Sequence, residues 1–289
     1  MRRFPFLAGL ALIALPVPLL AEVPRVVVDF GPVQSLVAQV MGDLGQPQVL
    51  LAAGADPHDF QMKPSQARAL AEAELVFWVG PDLMPAMSDA ITALGNEENV
   101  VALLEDGGGE IRLYPEGGID PHAWLDPDNA EAWLGAIAEE LSNKDPENAD
   151  TYAANAIAAQ ATIRDLDTEL QTALEPVRDK PFVVFHDAMG YFTDHFGLTP
   201  AGAIELGDAS APSAAQLDEI REAIRQTNAV CVFPEAGRDP KFVATVVEGS
   251  AARTGQPQDI EGITLPQGPG QYAALMRGIA ATLTECLGQ

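Results

Sequence analysis

Through most of the chain after residue 21, short β-branched and aromatic runs alternate with stretches whose apolar residues recur every three or four positions. Short apolar runs mark strands and the longer spacing marks amphipathic helices, so the alternation predicts an α/β fold with mainly parallel strands. Strands are expected at 25–30, 47–53, 75–80 and 100–103, with helices over 65–73 and 83–94 between them. A second series is expected at 182–186, 200–204 and 229–233, with a weak strand at 256–260.

The longest helical pattern, 145–177, separates the two series. Asp145 can cap it and Pro146 suits its first turn, where no backbone donor is lost. Tyr152, Ala156, Ile163, Leu166, Leu170, Leu174 and Val177 form one apolar stripe. At 1.5 Å per residue such a helix is about 48 Å long, enough to run beside two lobes as a rigid spine. The expected organisation is an N-terminal α/β lobe over 22–144, a linking helix over 145–178 and a C-terminal α/β lobe over 179–289. Residues 105–118 carry five glycines and four acids, too little apolar surface to bury, and are expected to form a mobile surface loop.

The first residues change the picture. Met1, Arg2 and Arg3 precede an apolar run over 4–21 that is interrupted by Pro16 and Pro18, the layout of a secretory signal cleaved near Ala21. The run sits at the lower end of the roughly 17 to 25 residues a membrane-spanning helix needs. Export makes the two cysteines, Cys231 and Cys286, an expected disulfide, and free thiol ligands the competing idea. Such a bridge contributes on the order of 4 kcal/mol by restricting the unfolded chain. The formal net charge of −26 excludes nucleic acid as a partner, because phosphate binding needs a basic face. It fits the handling of cations and, equally, plain solubility. No Walker loop, GxGxxG, GxSxG or HExxH motif occurs.

Histidine carries the candidate chemistry. Of four in the chain, His58 follows a predicted strand in Asp56-Pro-His-Asp-Phe60, His122 lies in Asp120-Pro-His-Ala-Trp-Leu-Asp126, and His186 ends the predicted strand in Phe182-Val-Val-Phe-His-Asp187. Ligands in open α/β sheets bind at the carboxyl ends of strands, so these three can face one crevice. Neutral imidazole offers one nitrogen lone pair to a metal while its other nitrogen is held by a hydrogen bond. Asp56, Asp59, Asp120 and Asp187 are available as those acceptors, although turn formation explains the two Asp-Pro pairs equally well. His195 falls in a helical stretch and is expected to be structural or exposed.

These motifs, with Lys63-Pro-Ser65, Leu75-Val-Phe-Trp-Val-Gly80, Val184-Phe-His-Asp-Ala188 with Tyr191, and Cys231-Val-Phe-Pro-Glu235, resemble the metal-binding components of bacterial zinc and manganese ABC importers, the high-affinity zinc uptake binding proteins. The resemblance spans nearly the whole chain after residue 21. It implies two α/β lobes joined by a long helix, with the metal in the cleft between them. It maps three histidine ligands onto His58, His122 and His186, and a late carboxylate ligand onto Asp259. Relatives usually read Leu-Asp-Pro-Leu-Gly there, whereas this chain has Gln258, Ile260 and Glu261 around Asp259, so Glu235, Asp59 or a water could take that position instead. The long histidine-rich loop of many zinc members has no counterpart.

The resemblance implies a monomeric periplasmic protein, not an enzyme, that captures Zn²⁺ and delivers it to an inner-membrane permease. A periplasmic metallochaperone is a further partner raised by the missing histidine-rich loop. Three imidazoles and a carboxylate suit tetrahedral Zn²⁺. Manganese relatives usually carry a carboxylate at the third position, so His186 moves the preference towards zinc. A manganese carrier and a secreted zinc hydrolase, whose metal keeps an open position for water, are the competing readings.

Overall fold

The computed structural model describes residues 23–289 apart from Glu116 and Asp208; the signal segment expected over 1–21 lies outside them. Its elements run β1 (Val26–Val28), α1 (Gly31–Met41), β2 (Gln48–Val49), α2 (Pro64–Glu72), β3 (Leu75–Trp78), α3 (Pro85–Leu94), β4 (Val100–Ala102) and α4 (Leu103–Asp106). Two long helices follow, α5 (Pro127–Lys144) and α6 (Ala149–Leu174). The chain then continues through β5 (Phe182–His186), α7 (Gly190–Phe196), β6 (Pro200–Glu205), α8 (Ala214–Thr227), β7 (Cys231–Val232), α9 (Lys241–Val247), β8 (Arg253–Thr254) and α10 (Gln271–Leu287).

Among the described residues two four-stranded sheets result, ordered β2-β1-β3-β4 and β6-β5-β7-β8, and every strand pairing in them is parallel. Parallel strands joined through helices are covered on both faces, which is why β1, β3 and β5 read as unbroken apolar runs rather than alternating ones. All their residues are buried. The buried carboxylate of Asp29, just past β1, accepts from Phe30 N and Val79 N at 2.8 Å each and so ties the carboxyl ends of β1 and β3 together.

The spine forms much as its pattern predicts. Every residue of the stripe from Tyr152 to Val177 is buried, and α6 packs against α1, α5 and α10. Its ends differ: one 3₁₀ turn covers Pro146–Asn148 and another Glu175–Val177. Asp145 closes α5 rather than capping α6, and its carboxylate accepts from Asn148 Nδ2 at 2.7 Å and Tyr152 OH at 2.9 Å. Cys231 in β7 and Cys286 in α10 are bonded as a disulfide with Cα atoms 6.4 Å apart, so the last helix is tied to the second sheet.

Two further expectations are corrected. The weak strand near 256–260 is not β8, which lies at Arg253–Thr254; only an isolated bridge joins Gln258 to Glu235. Residues 105–118 begin inside the helical turn α4, and the loop beyond it is pinned. Leu113 bridges Ile119, Arg112 N donates to Tyr191 OH at 2.7 Å, and Tyr114 OH donates to Asp187 O at 3.2 Å. Polar anchors of this kind hold a loop without a greasy face, which its composition does not reveal.

Candidate metal centre

The two Asp-Pro-His motifs adopt the same turn. Asp56 Oδ1 accepts from His58 N at 2.8 Å, and Asp120 Oδ1 accepts from His122 N at 3.1 Å, each aspartate folding back on the residue two ahead. Turn chemistry and the placement of the histidine are therefore one feature. In the second motif the same Oδ1 also accepts from the His122 ring at Nδ1, 2.8 Å away. Asp120 is itself held by Arg112 Nη1 at 3.0 Å and, through its carbonyl, by Tyr191 OH at 3.2 Å. His186, the last residue of β5, has its Nδ1 2.9 Å from Glu235 Oε2 in the segment after β7.

With Nδ1 donating to a carboxylate, each of these two rings is left with a lone pair on Nε2. Those two Nε2 atoms face each other at 3.1 Å, and His58 Nε2 lies 3.4 Å from that of His122. Zinc–nitrogen bonds of about 2.05 Å at the tetrahedral angle place donor atoms about 3.3 Å apart, so the spacing is that of ligands around one ion. Burial drives the pKa of His58 down to about 2, helped by the neighbouring His122 and His186. Burial also lowers that of His122, against the pull of Asp120. These two imidazoles are neutral at physiological pH, the form that coordinates.

The structure does not bring Asp259 to this cluster. Its Oδ1 accepts from Ile263 N at 2.9 Å and its Oδ2 from Thr264 N at 2.8 Å and Thr264 Oγ1 at 2.5 Å, so its carboxylate organises the turn that follows it. Two residues later Glu261 is buried, with Oε1 3.5 Å from His58 Nε2 and without a hydrogen-bond partner. A buried carboxylate oxygen with no donor is costly unless a cation meets it, and burial together with Asp56 and Glu235 pushes this carboxyl far above the usual range. Ile260 before it is buried as well, and Gly262 after it, at φ +72°, supplies a left-handed turn. Glu235 holds His186 from behind, and Asp59 is exposed, whereas Glu261 is buried with an oxygen beside the Nε2 of His58, the ring it shares with the histidine cluster.

His195 is structural, as expected. Its Nδ1 lies 2.9 Å from Asp126 Oδ1 and its Nε2 2.7 Å from Asp167 Oδ1, which joins α7 to the start of α5 and to α6. Burial opposes its charge, but the bonds to Asp126 and Asp167 outweigh it and lift the pKa to about 9. An imidazolium donating through both nitrogens has no lone pair for a metal.

The family model described as zinc-uptake complex component A, periplasmic, matches residues 26–286. The high-affinity zinc uptake system protein ZnuA of Paracoccus denitrificans (strain Pd 1222) is 48% identical over 97% of this chain and 96% of its own. Among solved structures, a mutant of the laminin-binding adhesin Lmb from Streptococcus agalactiae is 27% identical with a TM-score of 0.81, covering 91% of this chain and 99% of that one. A zinc-bound ZnuA deletion mutant is 25% identical with a TM-score of 0.80, covering 92% and 98%.

Proposed function

The chain belongs to the ZnuA family of periplasmic zinc-uptake components, and from that premise we propose that it captures one Zn²⁺ between its two sheets for delivery into the cell. The ligands of this reading are His58, His122, His186 and Glu261. One observation carries it: the lone pairs of His122 and His186 point at each other at 3.1 Å, an arrangement that repels unless a cation sits between them.

The donor set also separates a carrier from a catalyst. A hydrolytic zinc keeps a coordination position open for water, whereas three imidazoles and a carboxylate complete a tetrahedral shell. Nitrogen donors in three positions favour zinc over manganese, which prefers oxygen. Zinc enters as cargo, so the site must also let it go.

On this reading the chain is exported, its leader is cleaved near Ala21, and it hands zinc to the inner-membrane permease of an ABC importer. A periplasmic metallochaperone is the proposed source of zinc, and transfer no faster than release and recapture would remove that partner. The central test is equilibrium zinc binding by the chelator-stripped mature protein. One equivalent should bind, and binding should be much weaker in His122→Ala and His186→Ala; affinity unchanged in those variants would refute the site.

A further inference from the structure

Asp56 and Glu235 approach the metal centre from different sheets, and one arginine touches both. Arg238 Nη2 lies 2.6 Å from Asp56 Oδ2, an ion pair without hydrogen-bond alignment, and Arg238 Nε donates to Glu235 Oε1 at 3.4 Å. The other oxygen of each carboxylate is already committed to a proposed ligand: Asp56 Oδ1 to the backbone of His58, and Glu235 Oε2 to the ring of His186. A continuous chain of polar contacts therefore runs from His58, through Asp56, Arg238 and Glu235, to His186.

We infer that Arg238 is a positioning residue for the metal: it ties the segment bearing His58, after β2, to the carboxylate behind His186, and so controls how fast zinc leaves. The inference rests on the site proposed above.

The local chain supports this role. Arg238 N donates to Glu235 O at 3.3 Å, closing a turn in which Gly237 sits at φ +83°. That turn brings the guanidinium back over Glu235, and both partners are largely shielded, with 17% of the Arg238 side chain and 20% of the Asp56 side chain exposed. Burial works against the arginine's charge, but Asp56, Glu235, Glu261 and Glu205 around it outweigh that and raise its pKa. It stays cationic throughout the physiological range.

Two consequences of removing it have opposite signs. A cation near Zn²⁺ repels it, so loss of charge alone would tighten binding. Loss of the tie would free the His58 segment and weaken binding, and changes to groups that hold metal ligands typically cost about tenfold to a hundredfold in affinity. The linkage of both carboxylates to ligands makes the second effect the larger.

The test uses the mature full chain loaded with one Zn²⁺, with release followed by stopped flow against excess chelator and affinity by competition. Arg238→Gln and Asp56→Asn should each speed release about tenfold or more, with the association rate little changed. The double variant should release no faster than the faster single one, because both substitutions cut the same link. Arg238→Lys, which restores the charge without the fork, should recover part of the loss. A release rate within twofold of wild type, tighter binding, or additive effects would each overturn the inference. So would a fall in the urea midpoint of the metal-free protein with release unchanged, since that describes a purely structural arginine. Failure of the wild type to take up zinc would instead sink the site.

Discussion

The indole of Trp124 donates its hydrogen to the carbonyl oxygen of Ile260 at 2.9 Å, joining the residue two beyond His122 to the one just before Glu261. The proposed fourth ligand, Glu261, is thus registered against a histidine of the same cluster by a buried bond spanning 136 positions. Trp124→Phe should lower stability by about 1 kcal/mol for the lost bond. It should also weaken zinc binding while leaving stoichiometry at one, readable together by urea denaturation and chelator competition.

Glu261 and Asp259 make a discriminating pair. Glu261→Gln should weaken zinc affinity at least about tenfold, through loss of an anionic donor. Asp259→Asn should leave affinity within a few-fold and instead destabilise the metal-free protein by roughly 1 to 3 kcal/mol, because an amide has one acceptor oxygen where the carboxylate serves three donors. Reversed outcomes would return the fourth position to Asp259.

Zinc should stabilise the fold by mass action. At free zinc a thousandfold above the dissociation constant the gain is about 4 kcal/mol. Calorimetry should show a clear rise in Tm for the wild type and a smaller one for His122→Ala; an unchanged Tm would contradict tight binding to the native state.

The metal-free protein should lose stability towards both ends of the pH scale. His195 has its folded pKa raised to about 9 against an ordinary 6.5, so its contribution is complete below pH 6.5 and fades as pH rises through 9. That contribution is on the order of 3 kcal/mol, and His195→Gln should flatten the alkaline limb. His58 is the reverse case: its pKa is depressed to about 2, so the unfolded chain binds the proton first and stability falls as pH drops below 6.5. His122, also depressed, acts in the same direction. Urea midpoints from pH 4 to 10 would show both limbs, and zinc should deepen the acid one because protons displace it from imidazole.

Reduction of Cys231–Cys286, or its replacement by serines, should cost on the order of 4 kcal/mol. The bond lies between β7 and α10, so the first sheet and its two Asp-Pro-His turns should keep their zinc chemistry in the reduced molecule at moderate temperature. Zinc titration under reducing conditions would measure this.

Much of this arrangement is legible from residue order alone. Continuous apolar runs located the strands, since a strand covered on both faces has no polar positions to interrupt it. The stripe from Tyr152 to Val177 located the spine. The histidines were legible because each stands at the end of a strand or in an Asp-Pro turn, where local chemistry dictates the geometry. Glu261 was not, because its place beside His58 rests on contacts made only in three dimensions, such as that of Trp124 with Ile260. Similarity to relatives favoured the aspartate two residues earlier. The anchoring of the glycine-rich loop was hidden for the same reason: its partners, Tyr191 and Asp187, lie far along the chain. Arg238 gave no local sign of its reach to Asp56.

Helix α6 contains neither glycine nor proline in its 26 residues. Such a strut resists bending, because sharp kinks in helices need one of those residues or an inserted group. The two halves of the molecule therefore share a fixed frame, and if the proposed ligands hold zinc, its exchange falls to the short irregular segments carrying His58 and Glu261. On the proposed reading such a protein would work as a cage with movable bars more than as a jaw, and a transporter emptying it would need only to pry at two loops.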